Sequence, residues 1–450
     1  MKQAGHNNLT SQQKIIAHID MNSYFATVEQ QDNPAWRGHP VGVCEHLGGI
    51  IIAASVEAKK WGIKTGTPVW EARRIYPKIF LTKTHPEKYR FYTARFLKVF
   101  EDYTDRIEKY SIDEAFLDLT KACNIRVPME LGGKKRLVRV DPWQEAQRIC
   151  REIKTRMKTE VGDYITCSVG LSYSKLVAKI ASDLQKPDGL VVVRPEDKHS
   201  LYDRLQLTDI PGIGNRMERR LNKLGIKTLA DLRDYPSTKL ISHFGIQGHH
   251  LHSMGQLEGS WKESFGKEVI ADPMKSIGHM YTIPMEFRSK KVMKPVLYKL
   301  SEMVGIRLRV NGLMGDTVHV HVHDPERLCA SRGGRIGGYV QDGRDIYLEC
   351  LALLRQTSIP LEELEKHSYL IGVTVAGLVP EVSQPSLFGG KKYNNQLLQA
   401  LDKINQKYED FTVARVPAFL ARNIIRDSVG FGRMKEFKTT FMRGGQGAFK

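Results

Sequence analysis

Apolar residues along this chain follow two spacings, every second position or every third and fourth, and each change of spacing marks an element. In KIIAHIDMNSYFATVEQ an alternating run ends at Asp20 and gives way to turn-forming residues and then to helical spacing, which predicts a strand, a turn and a helix. Residues 37 to 87 form a small unit around GGIIIAASVEAKKWGIKTGTP, and YRFYTARFLKVFEDYTDRI returns to helical spacing near residue 89. Two short alternating runs, RIEKY and AFLDL, flank Ser111, Ile112, Asp113 and Glu114, the pattern of a hairpin with acids at its tip. A basic loop, LGGKKRLVRVD, a helix over about 142 to 160, the strand YITCSVGLS and the helix SKLVAKIASDLQ complete an alternation of the βαββαβ kind.

From about residue 190 the pattern is helical, broken by glycines at PGIG and KLGI; residues 275 to 379 return to strands around the helix PVLYKLSEMVGIRLRVN. The remainder, from 381, carries QPSLFGG, then NNQLLQALDKINQKYEDF with apolar residues at helical spacing, and a polar end containing glycines. At 450 residues the chain exceeds one hydrophobic core, so an α+β protein of several modules is expected.

Charge narrows the function. Lys and Arg number 68 against 50 Asp and Glu, a formal +18, which points to a polyanionic partner and first to nucleic acid. No apolar run approaches the ~20 residues that span a bilayer, and MKQAGHNNLTSQQK has no apolar signal core. The six cysteines are dispersed without a CxxC pair, so a reducing cytoplasm is expected, with neither disulfides nor a cysteine zinc site.

Two adjacent acids inside an otherwise apolar stretch are costly unless a cation shares their charge. Asp20 at a strand end and Asp113 with Glu114 at a hairpin tip are three carboxylates that one small sheet can bring together, and Mg²⁺ takes one or two such ligands together with substrate phosphates and water. The plainer alternative is that Asp20 caps the next helix and the pair decorates an exposed turn.

HIDMNSYFATVE, YSIDEAFLDLT, VGLSYSKLVAKIASDLQKPDG, DIPGIGNRMERRLNKLGI and MKSIGHMYTI together resemble the successive motifs of Y-family, DinB-like translesion DNA polymerases over roughly residues 14 to 380. The resemblance implies a right-hand α+β polymerase: a ferredoxin-like palm (1–36 and 88–185), small fingers (37–87), a helical thumb with a helix-hairpin-helix (186–265), an α/β little finger (270–380) and a C-terminal tail (381–450). It implies that Asp20 and Asp113 bind two Mg²⁺ ions with help from the Met21 carbonyl, and that Glu114 completes the site near the primer 3′-OH. Phe25 falls at the steric gate against the sugar, with Tyr24 beside it, and Lys175 and Lys59 at positions that meet the triphosphate. Departures lie nearby: Val56 and Lys59 stand where the family commonly has Tyr and Arg, and Ser174 where it often has Asn.

By the same resemblance Gly212 and Gly214 belong to the turn that lets backbone amides reach a DNA phosphate, and Ser276 to a strand along DNA. Gln384, Leu387 and Phe388 of QPSLF look like the peptide that binds a sliding clamp. His319, His321 and His323 share a strand face in TVHVHVHD; alternation with Val318, Val320 and Val322 reads as a sheet with one buried and one wet face, with a metal site as the alternative. The glycine-rich SRGGRIGGYVQDGRD, with Arg332, Arg335 and Arg344, reads as a mobile loop reaching phosphates. The function expected is low-fidelity, low-processivity translesion synthesis by a monomer acting on primer-template DNA and dNTPs. A catalytically silent, clamp-tethered DNA-binding adaptor and a metal-dependent nuclease are the alternatives.

Overall fold

The alternating run before Asp20 forms strand β1 (Ile16–Met21), and Ser23, with φ at 49°, turns the chain into helix α1 (Tyr24–Asp32). A computed structural model describes residues 13–45, 49–131, 134–258, 265, 274–288, 291–324, 329–366, 368–381, 395–408 and 411–425. They group into two units, one within Met1–Val269 and one within Ile270–Ser428.

After α1 come β2 (Val41–Cys44), β3 (Ile51–Ala54), α2 (Val56–Lys60), α3 (Val69–Ile75) and β4 (Phe80–Lys83), whose strands form a small sheet in the order β3-β2-β4 over a separate core of Cys44, Ile51, Ile63, Val69 and Ala72. The chain then returns through α4 (Pro86–Glu101) to β5 (Ile107–Lys109) and β6 (Glu114–Asp118). Next are β7 (Arg126–Leu131), β8 (Lys134–Arg139), α5 (Pro142–Arg156), β9 (Cys167–Ser172), α6 (Lys175–Leu184) and β10 (Leu190–Val193). The basic stretch expected as a loop thus contributes a strand to the antiparallel hairpin β7-β8. Its charges hid a backbone pairing that supplies its own hydrogen bonds.

The central sheet has the order β10-β9-β1-β6-β5, with β1 antiparallel to both neighbours. On one face Ala17, Ile19, Ala115, Leu117, Val169 and Leu171 join Tyr24, Phe96, Phe100, Trp143 and Ile153 in the largest apolar cluster of this unit. The other face is covered by α6. Gly170 permits that approach: a Cβ there would lie 2.0 Å from the Ala178 carbonyl oxygen and 2.3 Å from the Ser182 nitrogen. Both faces are dry, so polar side chains persist between them only where they are bonded.

Five helices follow, α7 (Lys198–Arg204), α8 (Asn215–Asn222), α9 (Leu229–Asp234), α10 (Ser237–Phe244) and α11 (Ile246–Gly255). Leu201, Ile213, Leu221, Leu232 and Leu251 form their core with Leu176 and Ile180 of α6.

In the second unit, β11 (Ser276–Thr282), α12 (Met293–Val310), β12 (Leu313–His323), β13 (Cys329–Val340), α13 (Gly343–Arg355), α14 (Leu361–Lys366) and β14 (Leu370–Pro380) build an antiparallel sheet in the order β11-β14-β12-β13. Val318, Val320, Val322, Val373 and Val375 pack with α12 and α13. The glycine-rich arginine segment is strand β13 rather than a loop, because its backbone pairs with β12 from Cys329 to Arg335 despite a sequence poor in apolar residues.

The unit does not stop at residue 380. Beyond the segment containing 384–388, which lies outside the described residues, come α15 (Asn395–Tyr408) and α16 (Val416–Leu420). Arg309 holds Asp402 through two bonds of 2.7 and 2.8 Å, Tyr281 donates to the Ile424 carbonyl at 2.6 Å, and Ala421, Ile424 and Ile425 enter the core. The tail boundary read from sequence at 381 is therefore moved: the apolar residues of 411–425 form a short stretch interrupted by Pro417, and their burial depends on partners far away in sequence.

Candidate active site

β1 and β6 run antiparallel with Asp20 directly opposite Glu114, so the two side chains leave the sheet on the same side. Asp113 precedes β6, and its carbonyl accepts the Met21 N–H at 2.9 Å, which ties the hairpin tip to the end of β1. The amides of Tyr110 and Ser111 both donate to the Glu114 carbonyl at 3.1 Å, and Ser111 Oγ lies 2.5 Å from Asp113 Oδ1. The tip therefore bends, and a bend is what lets sequence neighbours serve one site.

The three acids differ electrostatically. Burial pushes the Asp20 carboxyl upward; the Lys186 ammonium, 2.9 Å from its Oδ2, opposes that shift, and the charge of Asp113 adds to it. Burial also pushes Asp113 up, with the Glu114 charge adding to the effect and the Ser111 hydroxyl opposing it. Burial alone would raise Glu114 too, but a hydrogen bond from His18 and the Lys179 ammonium outweigh it and hold the carboxyl down to about 2. Among the described residues no three His, Cys, Asp or Glu side chains form a preformed metal cage. One oxygen each of Asp20 and Glu114 is held by an ammonium group instead.

The other residues singled out from sequence fall at several places. Phe25 is buried and stacks on Tyr89 with ring centroids 4.2 Å apart and planes 14° from parallel. Tyr24 turns into the core, its hydroxyl donating to the Tyr89 carbonyl at 2.6 Å, so it braces the helix next to Phe25 and does not offer a free hydroxyl to a substrate. Lys59, on α2, is lowered by burial and by Lys186 and raised by Asp20, which puts it in the same electrostatic neighbourhood as the acids. Lys175 is elsewhere. Its buried ammonium lies 2.6 Å from Glu108 on β5 and 4.9 Å from the centroid of the Phe116 ring.

Sequence reasoning missed the lysines that reach the acids, Lys179 and Lys186, although both lie inside the motif SKLVAKIASDLQKPDG. The signal for Lys179 was its helical spacing from Lys175, which a solvated helix face imitates, whereas Lys186 lies past the end of α6 and had no such signal. Gly212 sits at φ 102° in the turn before α8, and Gly214 is that helix's N-cap. Ser276 opens β11, exposed and paired with Ala376. His319 is exposed and His321 and His323 half-buried, opposite a buried valine face, as one wet sheet face predicts.

Comparisons with known proteins agree with this arrangement. Residues 19–183 match the impB/mucB/samB family model, residues 274–387 the C-terminal domain of the same family, and residues 208–256 a model described as DNA polymerase-iota, thumb domain. DNA polymerase IV of Moorella thermoacetica is 36% identical over 416 residues, covering 91% of this chain and 97% of its own length. DNA polymerase IV of Pelotomaculum thermopropionicum is 32% identical over 420 residues, covering 92% and 98%. The chain belongs to the Y-family of DNA polymerases. A solved Y-family DNA polymerase chimera of Dbh and Dpo4 superposes with a TM-score of 0.66 at 27% identity, covering 81% of this chain and 99% of its own. No helix among the described residues is long and apolar enough to cross a membrane.

Proposed function

We propose that this chain is a template-directed DNA polymerase of low fidelity and low processivity that performs translesion synthesis, with Asp20, Asp113 and Glu114 as its catalytic acids. The observation that carries the site assignment is the register pairing of Asp20 with Glu114 beside the Asp113–Met21 bond. The donor set fits a divalent metal: hard carboxylate oxygens, two of them on carboxyls that burial has pushed upward and that a cation would relieve. Two Mg²⁺ ions held by Asp20, Asp113, Glu114 and the Met21 carbonyl would supply charge neutralisation and a clamp on attacking and leaving oxygens.

The chain's own residues do the rest. Lys186 and Lys59 bring positive charge to the Asp20 side of the site, where the triphosphate of a dNTP enters, and Lys186 takes the role assigned from sequence to Lys175. With Val56 where the family commonly has a hydroxyl, that grip relies on charge more than on directed hydrogen bonds. Phe25, locked by its stack on Tyr89, forms a rigid wall against the sugar 2′ position. Phe25→Ala is expected to admit ribonucleotides, checked by the ratio of dNTP to rNTP incorporation; an unchanged ratio removes Phe25 from that role.

Residues 1–36 and 88–185 serve as palm, 37–87 as fingers, 186–265 as thumb and 270–380 as little finger, the last extended by the docked tail. So small a fingers module supplies few contacts to the nascent base pair, hence weak shape selection. Gly212, Gly214 and Ser276 line the primer-template DNA, and Gln384, Leu387 and Phe388 bind a sliding clamp. The protein works as a cytoplasmic monomer. Deleting 384–388 is expected to abolish stimulation by the clamp while bare primer extension continues. Primer extension with Mg²⁺ tests the whole reading: lengthening supports it, shortening of the primer supports a nuclease, and DNA binding without extension supports an adaptor.

A further inference from the structure

His18 is fully buried between the central sheet and α6, two residues before Asp20 and on the same face. Nothing about an apolar strand facing a helix requires an imidazole there, and an unbonded one would be costly. Both nitrogens are used. Nε2 lies 3.0 Å from Glu114 Oε2 and Nδ1 lies 2.8 Å from Ser182 Oγ, while the ring packs on Phe116 at 4.5 Å. The Lys179 ammonium bonds the same Glu114 oxygen from α6, and Ser182 Oγ lies 2.7 Å from the Lys179 carbonyl. Glu114, His18, Ser182 and Lys179 thus close a ring of contacts that joins β6, β1 and α6.

Two donors converge on Oε2, whereas no described residue bonds Oε1. A carboxylate gripped at one oxygen by a fixed imidazole and a fixed ammonium cannot rotate freely about its last bond, so its second oxygen keeps one direction. We propose that His18 is a positioning residue that, with Lys179, pins Glu114 by Oε2 and thereby presents Oε1 to the reacting centre. The Ser182 hydroxyl has one hydrogen and two acceptors in reach, Nδ1 and the Lys179 carbonyl; turned to Nδ1 it keeps the hydrogen of the imidazole on Nε2, facing Glu114. This inference rests on the assignment of Glu114 to the catalytic acids.

The test compares His18→Phe, which keeps a ring of similar volume, and Ser182→Ala with the unaltered chain bound to primer-template. Primer extension and Mn²⁺ binding to the protein–DNA–dNTP complex, followed by electron paramagnetic resonance on a chain-terminated primer, are measured together. His18→Phe is expected to lower kcat and Mn²⁺ affinity by about 10- to 100-fold, as loss of a ligand's supporting partner does. The KM for dNTP and the affinity for DNA should stay within about twofold, since neither is bound through Glu114. Ser182→Ala should give a smaller loss in the same two readouts, and it carries the test should His18→Phe fail to fold. Variants that fold and keep both kcat and Mn²⁺ affinity overturn the proposal. Asp113→Asn in the same assay separates the layers: if it too is active, the assignment of the acids fails; if it is dead while His18→Phe is not, only the positioning role does.

Discussion

The five-stranded sheet of the first unit and the four-stranded sheet of the second arise from the same alternation of apolar and polar residues, yet one is covered on both faces and the other on one. Between β1 and α6 every polar group has an assigned neighbour: His18, Ser182, Lys179 and Glu114 bond one another. At the edge of this layer Asp20, Asp113 and Glu114 are half-buried. On β12 and β13 the polar residues of the other face have no such enclosure; His319 and Arg335, which registers with Thr317, stand out from the sheet, Arg335 with 81% of its side chain exposed. A dry sheet fixes a few charges in place, which chemistry needs, and a wet one spreads charge over an area, which suits a long polyanion.

The sharpest way to break that comparison is Asp113→Asn. It is expected to reduce primer extension by about a thousandfold or more, the scale on which a preorganised electrostatic group acts. Yet the variant should be more stable in chelator at neutral pH, by about 2 °C in Tm. Burial raises the Asp113 carboxyl, so the folded protein favours its neutral form, and the cost of keeping it charged is relieved as pH falls through its raised value. Glu114 has the opposite sign. Held down to about 2, it contributes stability above its ordinary 4.5 that is lost as pH falls from there toward about 2. Thermal melts with and without chelator across that range check both signs.

A smaller effect separates two lysines of the same motif. Lys186→Ala should raise the KM for dNTP by about tenfold, the loss of one charged contact. Lys175→Met should leave that KM nearly unchanged and lower Tm by about 5 °C, because it removes one partner of a largely buried ion pair with Glu108. Steady-state kinetics paired with melting temperatures decide it. If Lys175→Met moves KM and Lys186→Ala does not, the assignment from sequence was the better one.

The smallest effect tests the wet sheet. Arg335→Gln is expected to weaken DNA binding modestly and to reduce the slope of log K against log salt by about one, with kcat unchanged. Fluorescence anisotropy over a salt series measures it.

How much of this was legible beforehand depended on whether a residue's neighbours lie close in sequence. The strand ending at Asp20, the acid-tipped hairpin and the His-Val alternation of β12 are local patterns, and their elements could be read directly. Lys186 and His18 gain their roles from partners 166 and 96 residues away, so nothing local distinguished them from a solvated loop lysine and an ordinary strand position. The hairpin β7-β8 was obscured by charge, and the docking of residues 411–425 by its dependence on distant partners such as Tyr281. What the alternation does carry is which face of a strand is buried; what it omits is which distant group will meet that face.

The central claim is that Asp20, Asp113 and Glu114 serve one centre for divalent metal. Anomalous diffraction from crystals of the protein with primer-template, dNTP and Mn²⁺ tests it most directly. The account predicts two manganese peaks within coordination distance of these carboxylates, one of them shared by Asp20 and Asp113. Manganese bound elsewhere, with these three carboxylates unligated in a complex that extends primers, contradicts it.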